Sequence, residues 1–219
     1  LQSKLELPKS VGSLDFNLGC SGYVYGLSLA KGLIESGQCK NVLLVTSETY
    51  SKYLHKEDRS NRAIFGDAAT ASLITKSDKD GLKKFLFGTD GEGADSLIIK
   101  NGGARFPYDN EAELKNYGSN NSYSDNDLYM NGPDIFNFTA TNIPNFTKNV
   151  VEINQMELDN LDFVVFHQAN AFMLELMRKK IKVDKEKFII DLENGGNTVS
   201  NTMPPWKSFS AAARSKTLG

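Results

Sequence analysis

Between Ser13 and Ser47 the order of residue types leaves few folds open. Ser13 to Leu18 reads as a short strand that runs into the turn Gly19-Cys20-Ser21-Gly22. Tyr23 to Ser36, YVYGLSLAKGLIES, is apolar on most faces, with small Gly26, Ser28, Ala30 and Gly32 interspersed. That pattern predicts a helix buried between other layers, stopped by Gly37. Asn41 to Ser47, NVLLVTS, is a continuous apolar run of strand length, as in a strand covered on both faces. Strand, helix and strand within about 35 residues is the order of a βαβ unit and predicts an α/β protein.

Further along, Tyr50 to Arg62 is polar and reads as a loop, and Ala63 to Thr75 returns to a small-residue strand after Gly66-Asp67. Asn101 to Asp127 is rich in Gly, Asn, Ser, Asp and Tyr without a sustained period, which predicts a long surface excursion and an internal boundary. Ile135 to Val151 has helical apolar spacing, with Pro144 placed to kink or divide it. DFVVF at Asp162 to Phe166 reads as a buried strand ending at His167. A helix should follow, with Phe172, Met173, Leu176, Met177 and Ile181 on one face. A last strand, Lys187 to Asp191, leads into the turn Asn194-Gly195-Gly196-Asn197-Thr198.

The 219 residues suffice for a sizeable core. With 25 basic against 27 acidic residues and a formal charge of -2, no overall field draws the chain to nucleic acid or an anionic membrane. No apolar run approaches the length needed to cross a bilayer. Two cysteines without a signal-like start predict a reducing compartment, the cytoplasm.

Taken singly, the candidate residues leave both structural and chemical readings open. Cys39, between a helix and a strand, reads as a small buried residue. Cys20 lies between glycines at a strand-to-helix turn, where the helix N-terminus favours a thiolate, so it reads either as packing or as a nucleophile. His55 lies in a charged loop and reads as solvated. His167 ends a buried strand, where open α/β sheets place functional groups, although a histidine satisfied by backbone fits equally. Asn197 fits a turn through its tolerance of left-handed backbone.

Together these residues meet a known pattern. FNLGCSGYVYGLSLAKGLIESGQCKNVLLVTSE, DRSNRAIFGDAAT, MNGPDIFNFT, FHQAN and GGNTVSNT resemble, in order and approximate spacing, the segments of type III ketoacyl-acyl-carrier-protein synthases, over roughly residues 1 to 204. The 30-residue interval from His167 to Asn197 matches too, and Cys-His-Asn separates this group from elongating synthases with Cys and two His. The resemblance implies a thiolase-like α/β fold, layered αβαβα. Residues 1-125 would be the remainder of the N-terminal half, with its excursion at about 101-127, and 126-219 part of the C-terminal half.

The resemblance also implies chemistry: decarboxylative Claisen condensation of an acyl-coenzyme A with malonyl-acyl carrier protein, initiating fatty-acid or related chain synthesis. No metal and no bound cofactor is implied. Cys20 would be the acylated nucleophile, with His167 and Asn197 stabilising the malonyl enolate. Arg59 would contact coenzyme A, Phe65 would line the acyl pocket and Asn170 would touch the pantetheine arm. Beside the resemblance, Arg178, Lys179, Lys180 and Lys182 form a basic surface suited to an acidic carrier protein. A homodimer is implied for a complete enzyme. Two other functions fit the fold: an acyltransferase passing the Cys20 acyl group to a hydroxyl or amine, and a non-catalytic partner subunit. Relative to the resembled family the chain reads as incomplete at both ends, and Pro205 to Gly219 reads as unlike the family's continuation.

Overall fold

The computed structural model describes residues 1–79 and 81–203. Helix α1 spans Gly22–Glu35 and leads through a turn at Gly37, whose N–H donates to Ile34 O at 3.0 Å, into strand β1, Asn41–Glu48. Asp58 then caps the four-residue helix α2, Arg59–Arg62, by accepting from Asn61 N at 2.9 Å. Strand β2, Ala68–Thr75, returns antiparallel to β1 in register from Asn41 with Thr75 to Glu48 with Ala68.

Helix α1 lies on one face of this pair. Tyr23 OH meets Ser72 Oγ at 3.1 Å, and a methyl at Gly26 would come within 2.5 Å of Leu44 Cδ1, so glycine permits the close approach. Because strand side chains alternate, Leu44 and Thr46 are buried while Leu43, Val45 and Leu73 stay exposed. The expectation of a strand covered on both faces is thus corrected: α1 covers one. Helix α1 is also less enclosed than its composition implied, burying only Gly22, Gly26 and Ala30 and exposing Leu29 and Leu33. The segment Ser13 to Leu18 is not a strand, because no described segment pairs with it; a ladder needs a neighbour whatever its sequence favours.

The excursion is more ordered than expected. It starts after β3, Leu97–Ile99, and contains the hairpin β4, Lys115–Tyr117, and β5, Asn121–Tyr123. Strand β6, Leu128–Met130, then pairs antiparallel with β3. Tyr123 and Tyr129 stack, Tyr117 packs edge-on against both, and Tyr117 OH donates to Asp58 Oδ2 at 2.7 Å. The hairpin is therefore anchored through a fully buried carboxylate.

Helix α3, Gly132–Ile153, runs for 22 residues through Pro144, so of the expected kink or division the division does not occur. Pro144 has no N–H to give Ala140 O, four residues earlier. Lys180 Nζ supplies that donor at 2.8 Å. Strand β7 is only Val164–Val165; helix α4, Ala171–Ile181, follows, and β7 pairs in parallel with β8, Phe188–Ile189. Val164, Leu174, Met177, Ile181, Val183 and Phe188 form the core of this part. Phe172, assigned to the buried face of α4, is instead 73% exposed, and Leu174 takes that place. Among the described residues no helix is long and apolar enough to cross a membrane, and no cluster of His, Cys, Asp and Glu is arranged to hold a metal.

Candidate active site

The turn that carries Cys20 is closed by Gly22 N donating to Gly19 O at 2.8 Å, so the cysteine sits immediately before α1. Its thiol is not activated in the way its position suggested. Burial, with a further push from the Glu48 carboxylate, raises Cys20 to about 11, against a smaller lowering from its own backbone N–H. Desolvation penalises the thiolate more than a single helix end favours it. Burial raises neighbouring Tyr50 to about 12, with Cys20 and Glu48 adding to the shift. Its ring packs 5.2 Å from that of Phe65.

Asn197 is brought to the same place by backbone alone. Asn197 N donates to Ile64 O at 2.9 Å and Gly66 N to Asn197 O at 3.0 Å, an isolated parallel bridge between Phe65 and Asn197. Two glycines allow it. A methyl at Gly66 would collide with Gly195 O; at Gly196, whose φ is +61°, one would fall 2.6 Å from Ile64 O. Gly66→Ala is therefore expected to cost about 1–3 kcal/mol through overpacking, read as a lower urea midpoint. An unchanged midpoint would show that the bridge can open without cost.

The asparagine amide is oriented. Asn197 Oδ1 accepts from Val199 N at 2.9 Å, which leaves the Nδ2 donors for another partner. The left-handed residues of this turn are Gly196 and Val199, φ +58°, not Asn197. A buried β-branched residue in that region is strained, and its cost is borne where the amide is held.

His167 follows β7. Gln168, 1% exposed, ties the strand end down: Nε2 donates to Phe166 O at 2.8 Å and Oε1 accepts from Asp191 N at 2.8 Å. His167 Nδ1 lies 2.6 Å from Thr202 Oγ1. Burial depresses the imidazole to about 4, despite an opposing backbone hydrogen bond to Val199, so the ring is neutral near pH 7.

Cys20, His167, Asn197, Phe65 and Asn170 all line one cavity of about 570 Å³, largely apolar, with Ile135, Phe138 and Met173 in its wall. Asn170 also caps α4, accepting from Met173 N at 2.8 Å. Arg59 lies outside this lining, exposed on α2. The basic surface is smaller than the sequence suggested. Arg178 is bound to Glu175 by Nε at 2.9 Å and Nη2 at 2.6 Å, and Lys180 bonds Ala140 O. Lys179 lies 3.7 Å from Glu175, while Lys182 is the exposed left-handed cap of α4. Cys39 is half-buried and in no disulfide, and His55 is a half-exposed loop residue whose Nδ1 accepts from Glu57 N at 3.3 Å.

Sequence reasoning missed Glu48, Tyr50, Asp58 and Thr202. Glu48 accepts from Ser200 Oγ at 2.7 Å, a contact across more than 150 positions that no local pattern encodes. Asp58 had a visible signal, since aspartate is among the preferred residues at a helix N-cap.

Residues 14–91 match the 3-Oxoacyl-[acyl-carrier-protein (ACP)] synthase III family and residues 151–216 its C-terminal part. The second match takes in most of the segment from Pro205 that had read as unlike the family, which corrects that expectation; the segment lies outside the described residues. The beta-ketoacyl-[acyl-carrier-protein] synthase III of Fusobacterium nucleatum subsp. nucleatum is 35% identical over 203 residues, 91% of this chain and 58% of the relative. That of Clostridium perfringens ATCC 13124 is 33% identical over 197 residues, 90% and 58% respectively. A crystal structure of a 3-oxoacyl-(acyl-carrier-protein) synthase III, 43% identical, superposes with a TM-score of 0.92 over 97% of this chain and 64% of its own. The chain spans 58% of the length of these two curated relatives. On these grounds the chain belongs to the 3-oxoacyl-[acyl-carrier-protein] synthase III family, with its thiolase-like α/β fold.

Proposed function

We propose that this chain carries the chemistry of decarboxylative Claisen condensation between an acyl-coenzyme A and malonyl-acyl carrier protein, the step that initiates an acyl chain. The observation that carries it is the convergence of Cys20, His167 and Asn197 on one apolar cavity. The Cys20 sulfur attacks the acyl thioester, coenzyme A leaves with the thiol proton, and the acyl group remains on sulfur. The malonyl thioester carbonyl then lies against Asn197 Nδ2 and His167 Nε2. The carboxylate departs as carbon dioxide and its bonding pair becomes the enolate, whose negative oxygen the two neutral donors stabilise. The carbanion attacks the acyl carbon, the carbon–sulfur bond breaks, and Cys20 recovers a proton as 3-oxoacyl-carrier protein is released.

In this reading Phe65 lines the acyl space, Asn170 contacts the pantetheine arm, and Arg59, exposed outside the cavity lining, contacts the nucleotide end of coenzyme A. Lys179 and Lys182, both exposed, are the cations that would meet an acidic carrier protein. The family matches fall on either side of the 101–127 excursion, which supports a division into two halves near residue 125. A homodimer belongs to the same proposal.

The test supplies the protein with acyl-coenzyme A and malonyl-acyl carrier protein and measures carbon dioxide and 3-oxoacyl-carrier protein together. Release that requires Cys20, His167 and Asn197 supports the assignment. Transfer of the acyl group to an alcohol or amine without carbon dioxide would make it an acyltransferase, and no acylation at all a non-catalytic subunit.

A further inference from the structure

Resting on that function, a residue beyond the Cys-His-Asn set controls how His167 meets the enolate. Thr202 is 5% exposed and its Oγ1 stands 2.6 Å from His167 Nδ1 and 2.9 Å from Val199 O. A hydroxyl has one proton to give. A neutral imidazole also has one, and at 2.6 Å a single proton must lie between Nδ1 and Oγ1. Two arrangements satisfy this. In one, Thr202 donates to Val199 O, Nδ1–H donates to Thr202, and a bare Nε2 faces the cavity. In the other, Thr202 donates to Nδ1 and Nε2 carries the proton.

We propose that Thr202 is a positioning residue that donates to His167 Nδ1 and thereby fixes the Nε2–H tautomer, aiming a donor into the cavity. The imidazole nitrogen is both nearer than the Val199 carbonyl and a stronger base than an amide oxygen, so it takes the hydroxyl proton. The side-chain partner of the ring is Thr202, at Nδ1, and His167 lines the cavity. The arrangement is held by strain: Val199, at φ +58° and 0% exposed, turns its N–H to Asn197 Oδ1 and its C=O toward Thr202 and His167. One peptide turn thus orients both donors. Val199 O is also the acceptor to which Nδ1–H would turn if the threonine hydroxyl were removed, which would reverse the tautomer.

The chain has two histidines, so nitrogen-15 imidazole spectra at pH 7 resolve them, with a His55→Gln sample assigning the peaks. The expected wild-type His167 has a pyridine-type Nδ1 and a pyrrole-type Nε2, retained in Thr202→Ser. Thr202→Val, nearly the same shape without a donor, is expected to exchange the two types. It should also slow carbon dioxide release about tenfold, the worth of one misplaced hydrogen bond, while leaving Cys20 acylation unaltered. A protonated Nδ1 in the wild type, or the same tautomer in wild type and Thr202→Val, overturns the proposal. If Thr202→Val does not fold, the wild-type and Thr202→Ser spectra still decide it. An Nε2–H ring in a wild type that releases no carbon dioxide would uphold the tautomer and remove the proposed reaction instead.

Discussion

Mixed with a short acyl-coenzyme A, the protein is expected to gain one acyl group by intact-protein mass spectrometry, and Cys20→Ala to gain none. Cys39→Ala should acylate as the wild type does, because Cys39 lies outside the cavity lining. The thiol pushed up to about 11 adds a kinetic expectation. At pH 8 about one Cys20 in a thousand is thiolate, and the thiolate is the nucleophile. The acylation rate should therefore climb about tenfold per pH unit from pH 7 to 10. A flat profile would mean that a base takes the proton within the cavity. An adduct that survives Cys20→Ala, or that maps to Cys39, removes Cys20 from the nucleophile role.

Asn197→Ala is expected to lower malonyl decarboxylation by about 100- to 1000-fold, the usual loss for one oxyanion donor, while acylation of Cys20 persists. The second variant separates chemistry from architecture. Asn197→Asp keeps an oxygen to accept from Val199 N, so the turn stays closed, yet it offers the enolate a carboxylate in place of an amide donor. It should fold like the wild type by circular dichroism and decarboxylate at least as poorly as the alanine variant. His167, depressed to about 4, remains a neutral partner across pH 6 to 8, so neither variant's loss should be recovered by moving pH within that range. Carbon dioxide release unchanged in Asn197→Asp would show that no donor is required there.

Much of the secondary structure was legible. Helices α1, α3 and α4 fall where periodicity puts them, and α1 ends before the stop at Gly37, because those signals are local. Errors arose where a segment's fate depended on its neighbours. Ser13 to Leu18 lacks a pairing partner, Phe172 turned outward, and α3 ran through Pro144 because Lys180 of another helix served the orphaned carbonyl. The hairpin at Lys115 to Tyr123 was hidden in polar composition and is held by edge-on tyrosine packing and a buried aspartate.

The sequence by itself determined the chemical inventory: a cysteine before a helix, a histidine after a strand and an asparagine in a glycine-rich turn, in an order that resembles one enzyme family. Residue types and spacing suffice for that, since they state which groups exist and what each is able to do. Only the tertiary structure decided their condition. Burial beside Glu48 keeps Cys20 a thiol, Val199 N–H turns the Asn197 amide, Thr202 meets the His167 ring, and Glu175 takes up Arg178. Each depends on solvent exclusion or on a hydrogen bond to a particular partner. Protonation and orientation follow from that surrounding medium and geometry, and folding creates both.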